Sequence, residues 1–166
     1  GFKARKPSIK VKDIKYQKGF RGEIKDRAIM GLECCNTVIQ HNGNAVCLEG
    51  EFDWLTAQVT SLKMHDKTAE FICFGGSDVK PAKLETLKKA GAKVLYLTFD
   101  PDTAGRKATR DAIKYAEELN LCPFVVNLPP GSDPDDFIKS KGLEPFKHLV
   151  KNASTAGEWL KQEFLQ

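Results

Sequence analysis

Four short apolar runs alternate with amphipathic stretches in this 166-residue chain, and that alternation restricts the fold more than any other feature. The runs lie at 45–48, 69–74, 93–99 and 123–128. Between the first two, Phe52, Leu55, Val59 and Leu62 recur at helical spacing and predict a helix with that face inward. A second helix is predicted from Pro81 to about Ala90, stopped by Gly91. A third, over 104–120, carries Ala108, Ala112, Ala116 and Leu119 along one stripe. Strands alternating with helices predict an α/β fold, with a four-stranded, mainly parallel sheet flanked by helices and right-handed crossovers. Residues 26–37 read as a short helix ahead of this unit. Short helices are predicted at 135–141 and 145–151, and Thr155-Ala156-Gly157-Glu158 reads as the capping box of a last helix carrying Trp159, Leu160 and Phe164.

No apolar run approaches membrane-spanning length. No signal-like segment opens the chain, and the start at Gly1 suggests a processed end or a piece of something longer. The five cysteines contain no CxxC pair, which argues against a zinc ribbon. Cys47, Cys73 and Cys122 read as small buried hydrophobes of a reducing cytosol. His41, His65 and His148 are far apart and are expected at the surface. The net charge of +4 conceals an asymmetry: residues 1–27 hold ten Lys/Arg against three acids, leaving −3 for the rest. Phe2, Tyr16 and Phe20 are interleaved with those bases. A nucleic-acid-binding arm and a solvated tail fit that composition equally well.

The acids give the chemistry. The first strand runs into Glu49-Gly50-Glu51-Phe52-Asp53, the third into Asp100-Pro101-Asp102, and the fourth, after a turn, into Asp133-Pro134-Asp135-Asp136. In an open parallel sheet these strand ends share one edge, the edge where ligands bind. For any single acid a helix cap is the simpler reading. Capping does not account for Glu49, Asp100 and Asp102 together at two strand ends. Carboxylates on one edge repel, and a cation relieves them. An all-oxygen set suits Mg²⁺ or Mn²⁺, and such sites suit phosphate chemistry.

These corners resemble the Toprim domain, the Rossmann-like metal-binding unit of DnaG-type DNA primases, topoisomerases and some nucleases. Its signature is a Glu after the first strand and a DxD after the third, here Glu49 and Asp100/Asp102. From about residue 15 to 151 the chain is similar to the primase version. Cys47 to Asp53 resembles its EGxxD motif, Asp100 to Arg106 its DxDxAGR motif, and Leu128 to Asp135 its LPxGxDPD segment. Lys15-Tyr16 and Phe20-Arg21-Gly22 resemble the pieces that precede Toprim in primases. Pro101 stands where the pattern has a small Gly, and Arg21 where it usually has Lys. Glu51 also occurs in phage-like and organellar primase–helicase relatives. The resemblance implies a basic lead-in over 1–42, a Toprim domain over 43–151 and a C-terminal helix over 152–166.

The resemblance also implies a function. The chain is expected to be part of a primase catalytic core, making RNA primers from ribonucleoside triphosphates on a single-stranded DNA template. Glu49, Asp100 and Asp102 are the expected catalytic residues. With Asp53, Asp133 and Asp135 they are the expected Mg²⁺ or Mn²⁺ ligands. Lys15 and Arg21, with Arg5 and Arg106, are expected to hold phosphates. A replicative helicase, in cis or in trans, is the expected protein partner, and the setting is cytoplasmic, bacterial or phage. The zinc module, most of the N-terminal catalytic subdomain and the helicase-binding region have no counterpart in these residues. The alternatives are a metal-dependent nuclease on the same fold and a non-catalytic nucleic-acid-binding relative. A topoisomerase is disfavoured because Tyr96 is predicted within a strand and Tyr16 and Tyr115 have no evident partner.

Overall fold

The computed structural model describes the backbone of residues 3–5 and 16–18, and residues 26–66 and 70–165 in full. Two short strands, β1 (Lys3–Arg5) and β2 (Tyr16–Lys18), pair antiparallel. The main sheet comprises β3 (Asn44–Leu48), β4 (Phe71–Cys73), β5 (Val94–Thr98), β6 (Cys122–Val125) and β7 (Ser154–Thr155), in the order β4-β3-β5-β6-β7. The first four are parallel and β7 runs antiparallel to β6. The sheet therefore has five strands, not the four expected. The extra one is two residues long, pairing with Phe124 and Val125, and is too short to leave a period in the sequence.

The helices are α1 (Leu32–Asn42), α2 (Glu51–Lys63), α3 (Pro81–Lys89), α4 (Thr103–Glu118), α5 (Pro134–Lys141), α6 (Leu143–Lys151) and α7 (Ala156–Phe164). Successive residues of β3 point to opposite faces, so Ala45 and Cys47 join one core while Val46 and Leu48 join the other. The first core includes Ile39 of α1, Leu84 and Leu87 of α3, Ala108, Ala112 and Ala116 of α4, and Trp159 of α7. The second gathers Ala57 of α2, Phe137 of α5, and Phe146 and Val150 of α6. Both faces of the sheet are thus covered, as a parallel sheet requires.

The helix expected at 26–37 is interrupted: residues 26 and 27 are helical, the chain then leaves the helix, and α1 starts at Leu32. Before it, Met30 bridges Cys73 at the edge of β4, and Gly31 turns the chain with φ at 86°. A Cβ at position 31 would lie 2.2 Å from Nε1 of Trp54, so the turn is built for Gly.

In α2 the apolar stripe is not the buried one. Phe52, Leu55, Val59 and Leu62 are exposed, and the helix lays Asp53, Ala57 and Ser61 against the fold. Two small side chains let α2 approach the sheet closely, and Asp53 is held inward by backbone amides described below. These local demands override the hydrophobic period. Phe164 is likewise exposed while Trp159 is buried. Cys122 is exposed, contrary to expectation, whereas Cys47 and Cys73 are buried and all five thiols are free. The three histidines are exposed. Among the described residues no helix is long and apolar enough to cross a membrane.

Candidate active site at the carboxyl edge of the sheet

Parallel pairing aligns Leu48 with Thr98, so β3 and β5 end side by side and deliver Glu49 and Asp100 to the same edge. The Asp100 backbone N–H donates to Oε2 of Glu49 at 3.4 Å. One oxygen of Asp100, Oδ1, is buried without a hydrogen-bond partner. Asp102 begins α4: its Oδ1 accepts from the Gly105 N–H at 2.7 Å, and the residue is exposed. Gly105 is required there, because a Cβ would stand 2.1 Å from the Asp100 carbonyl oxygen. The first turn of α4 is therefore pressed against the strand exit, and that contact fixes the Asp100–Asp102 geometry. Pro101 between them is exposed.

Electrostatics follow from the crowding. Burial, then the neighbouring Asp100, pushes the Glu49 carboxyl up from 4.5 to about 7. Burial, followed by Asp133 and Asp102, also raises Asp100. Asp53 rises to about 6, chiefly through burial, against the opposing pull of two backbone hydrogen bonds. Burial first, and like charges second, favour the neutral carboxyls at this edge.

The other expected ligands are differently placed. Asp53 has both oxygens engaged, accepting from Gly50 N–H at 2.9 Å and from Asp135 N–H at 3.1 Å. Asp135 accepts from the Thr56 hydroxyl at 2.5 Å and from the Lys139 ammonium at 2.6 Å. Two of these contacts, Asp135 N–H to Asp53 and Thr56 hydroxyl to Asp135, brace the start of α2 against the start of α5. Asp133 caps α5 through the Asp136 N–H at 2.7 Å. Arg106 pairs with Glu163, and Arg110 joins it at 2.8 Å. Lys15 and Arg21 lie outside the described residues, and of Arg5 only the backbone is described.

The sequence reading missed Thr56 and Glu163, which carry no local signal because their partners are 79 and 57 residues away in the chain. It also missed Lys83, a buried lysine whose ammonium donates to the Phe74 carbonyl just before the Gly75-Gly76 turn.

Among the described residues, no three His, Cys, Asp or Glu side chains close a metal cage by themselves. That suits a Mg²⁺-type site, in which one or two carboxylates act together with waters and substrate phosphates. The unpartnered Asp100 Oδ1, the exposed Asp102 and the Glu49 carboxyl raised by burial fit such a cation.

This edge belongs to a known class. Residues 46–138 match the Toprim-like family model, and the chain belongs to that family. Its relatives narrow the comparison to primases. It is 32% identical to the DNA primase of Aquifex aeolicus over 136 residues, 82% of this chain and 26% of the relative. It is 29% identical to that of Synechocystis sp. over 151 residues, 86% of this chain and 22% of the relative. The chain thus spans about a quarter of the length of these relatives. The crystal structure of the Aquifex aeolicus primase, zinc-binding and RNA polymerase domains, superposes with a TM-score of 0.79 at 28% identity, over 95% of this chain and 38% of that one.

Proposed function

We propose that this chain is the Toprim part of a DNA primase catalytic core, acting in metal-dependent nucleotidyl transfer that makes RNA primers on single-stranded DNA. The observation that carries this reading is the shared exit of β3 and β5, where Glu49, Asp100 and Asp102 meet and Asp100 Oδ1 has no partner. In the reaction the 3′-hydroxyl of the growing strand attacks the α-phosphate of an incoming ribonucleoside triphosphate. A new P–O bond forms, the bond to the β-phosphate bridge breaks, and pyrophosphate leaves.

Glu49, Asp100 and Asp102 would hold Mg²⁺ or Mn²⁺, which when bound lowers the pKa of the hydroxyl and neutralises phosphate charge. Gly105 and the Asp102 cap keep the two aspartates at a fixed separation from Glu49. Asp53 and Asp135 act as braces that hold α2 and α5 at the edge, and Asp133 supplies further negative charge beside Asp100. Lys15, Arg21 and Arg5 would contact phosphates of the template and nucleotides. In domain terms, residues 43–151 form the Toprim unit, 1–42 its basic lead-in and 152–166 an appended helix. A replicative helicase is the expected protein partner, in cis or in trans.

Incubation with labelled ribonucleotides, single-stranded DNA and Mn²⁺ tests the reading. Extended products support it. Shortened template strands would instead make the chain a nuclease. Salt-dependent binding with no metal-dependent product would make it a non-catalytic nucleic-acid-binding relative.

A further inference from the structure

Among the described residues, three buried side-chain oxygens have no hydrogen-bond partner: Gln58 Oε1, Thr98 Oγ1 and Asp100 Oδ1. The proposed chemistry uses the last of these and leaves Thr98 unexplained. Thr98 is the final residue of β5, pairs in register with Leu48 and is fully buried. Buried polar groups in folded proteins are nearly always paired, because an unpaired hydroxyl loses its water and gains nothing in return. The strand supplies a partner. Along β5, Leu95 and Leu97 join the first core while Tyr96 packs on the second, so Thr98 faces the second as well. Asp100, two residues further on, returns to that side. The charge that bears on it most is Asp133, the cap of α5, and Asp53 of α2 feels Asp100 in turn.

The neighbouring polar groups of that corner are engaged elsewhere. Asp53 accepts from two backbone amides, and the Thr56 hydroxyl donates to Asp135. Thr98 Oγ1 and Asp100 Oδ1 are the pair left over. Residues two apart on an extended chain have Cα atoms about 6.6 Å apart, a gap that a hydroxyl and a carboxylate on one face can close by side-chain rotation. The two groups also complement each other mechanically. A β-branched threonine is stiff at χ1, and only its hydroxyl hydrogen turns freely. The χ2 torsion of an aspartate is broad, so its carboxylate plane is fixed only by a donor from outside.

We infer that Thr98 is a positioning residue of the metal edge: its hydroxyl donates to the Asp100 carboxylate and fixes the plane in which that carboxylate meets a divalent cation. Thr98 touches neither cation nor substrate and acts through Asp100. An ionised carboxylate has about four acceptor sites, so one bond from Thr98 leaves the others for the cation. Groups that hydrogen-bond a ligating carboxylate orient it and thereby set the affinity of the site. The inference rests on the reading of Asp100 as a metal ligand. It adds to that edge an uncharged residue whose stiffness, and not its charge, is what the site uses.

The test pairs Mn²⁺ titration calorimetry with thermal melting in EDTA, on the 166-residue chain and its Thr98 variants. Thr98→Val removes the hydroxyl and keeps the shape. It should weaken Mn²⁺ binding about tenfold. Its melting temperature in EDTA should equal or exceed that of the wild type, because the metal-free fold leaves the hydroxyl unpaired. Thr98→Ser keeps the hydroxyl and loses a buried methyl. It should keep wild-type affinity while its melting temperature falls. Affinity and stability thus move apart in opposite senses, which a purely structural role does not produce. If Thr98→Val fails to fold, Thr98→Ala set against Thr98→Ser makes the same comparison, since those two variants differ only by the hydroxyl. The inference is overturned if Thr98→Val binds Mn²⁺ as tightly as the wild type. It is also overturned if Thr98→Ser loses as much affinity as the variants without a hydroxyl, or if affinity simply follows melting temperature across the series. A wild type that binds Mn²⁺ but makes no primer sinks the functional reading and leaves the Thr98 assignment standing. A wild type that binds no Mn²⁺ overturns both.

Discussion

The chain contains Asp-Pro-Asp twice, at 100–102 and at 133–135, and the two copies do different work. In the first, the third residue caps the helix: Asp102 begins α4, and Asp100 is left at the strand exit with an unpartnered oxygen. In the second, the first residue caps: Asp133 begins α5, Pro134 occupies the first helical position, and Asp135 is inside the helix, tied to Thr56 and Lys139. The same triplet is offset by two residues against the helix start. That offset leaves an oxygen of the first copy without a partner at the strand exit and ties the second copy to Thr56 and Lys139. Register, and not residue type, sets the difference.

The comparison breaks most sharply on metal affinity. Asp100→Asn combined with Asp102→Asn should weaken Mn²⁺ binding by more than about a hundredfold in titration calorimetry, whereas Asp135→Asn should leave it nearly unchanged. Equal losses from the two copies would erase the distinction. Next in size is the contact that sets the first copy's geometry. Gly105→Ala places a Cβ against the Asp100 carbonyl and should cost about 2–4 kcal/mol in urea unfolding. Gly157→Ala, where a Cβ meets nothing within 4 Å, should gain at most about 1 kcal/mol.

The second copy should show its bracing role in stability alone. Asp135→Ala leaves the half-buried Thr56 hydroxyl without its partner and should cost about 1 kcal/mol, and Asp133→Ala should cost about 1 kcal/mol as a lost cap. Smallest is a pH effect at the first copy's edge. Glu49 has a carboxyl raised from 4.5 to about 7, and Asp100 is raised as well. Between the unfolded and folded values the native state binds more protons than the unfolded state, so its stability falls as pH rises through that window. In EDTA the melting temperature should decline from about pH 4.5 to about pH 7, and Glu49→Gln should flatten the decline. A melting temperature that rises across that window would contradict the assignment.

Much of this was legible in the sequence. The strand–helix alternation named the sheet, and the acids at the ends of β3 and β5 marked the edge, because a parallel sheet puts all its strand exits together. The Thr155–Glu158 capping box was legible because it is local: Thr155 Oγ1 accepts from Glu158 N–H at 3.3 Å, and Glu158 Oε2 accepts from Thr155 N–H at 2.9 Å, both over three residues. The inward face of α2 was not legible. Its period favoured Phe52, Leu55, Val59 and Leu62, but amides from Gly50 and Asp135 pull Asp53 inward and turn that stripe to the outside.

By itself, then, the sequence determined the local grammar: where strands stop, which residue caps, and which motifs lie within one turn. The structure alone decided which carboxylate oxygens stay available and which are occupied. Asp135 meets Thr56 from 79 residues away, and Arg106 meets Glu163 from 57. Such pairings depend on how α2, α5 and α7 pack onto a finished sheet. No local propensity encodes them, because the partners become neighbours only after the chain has folded.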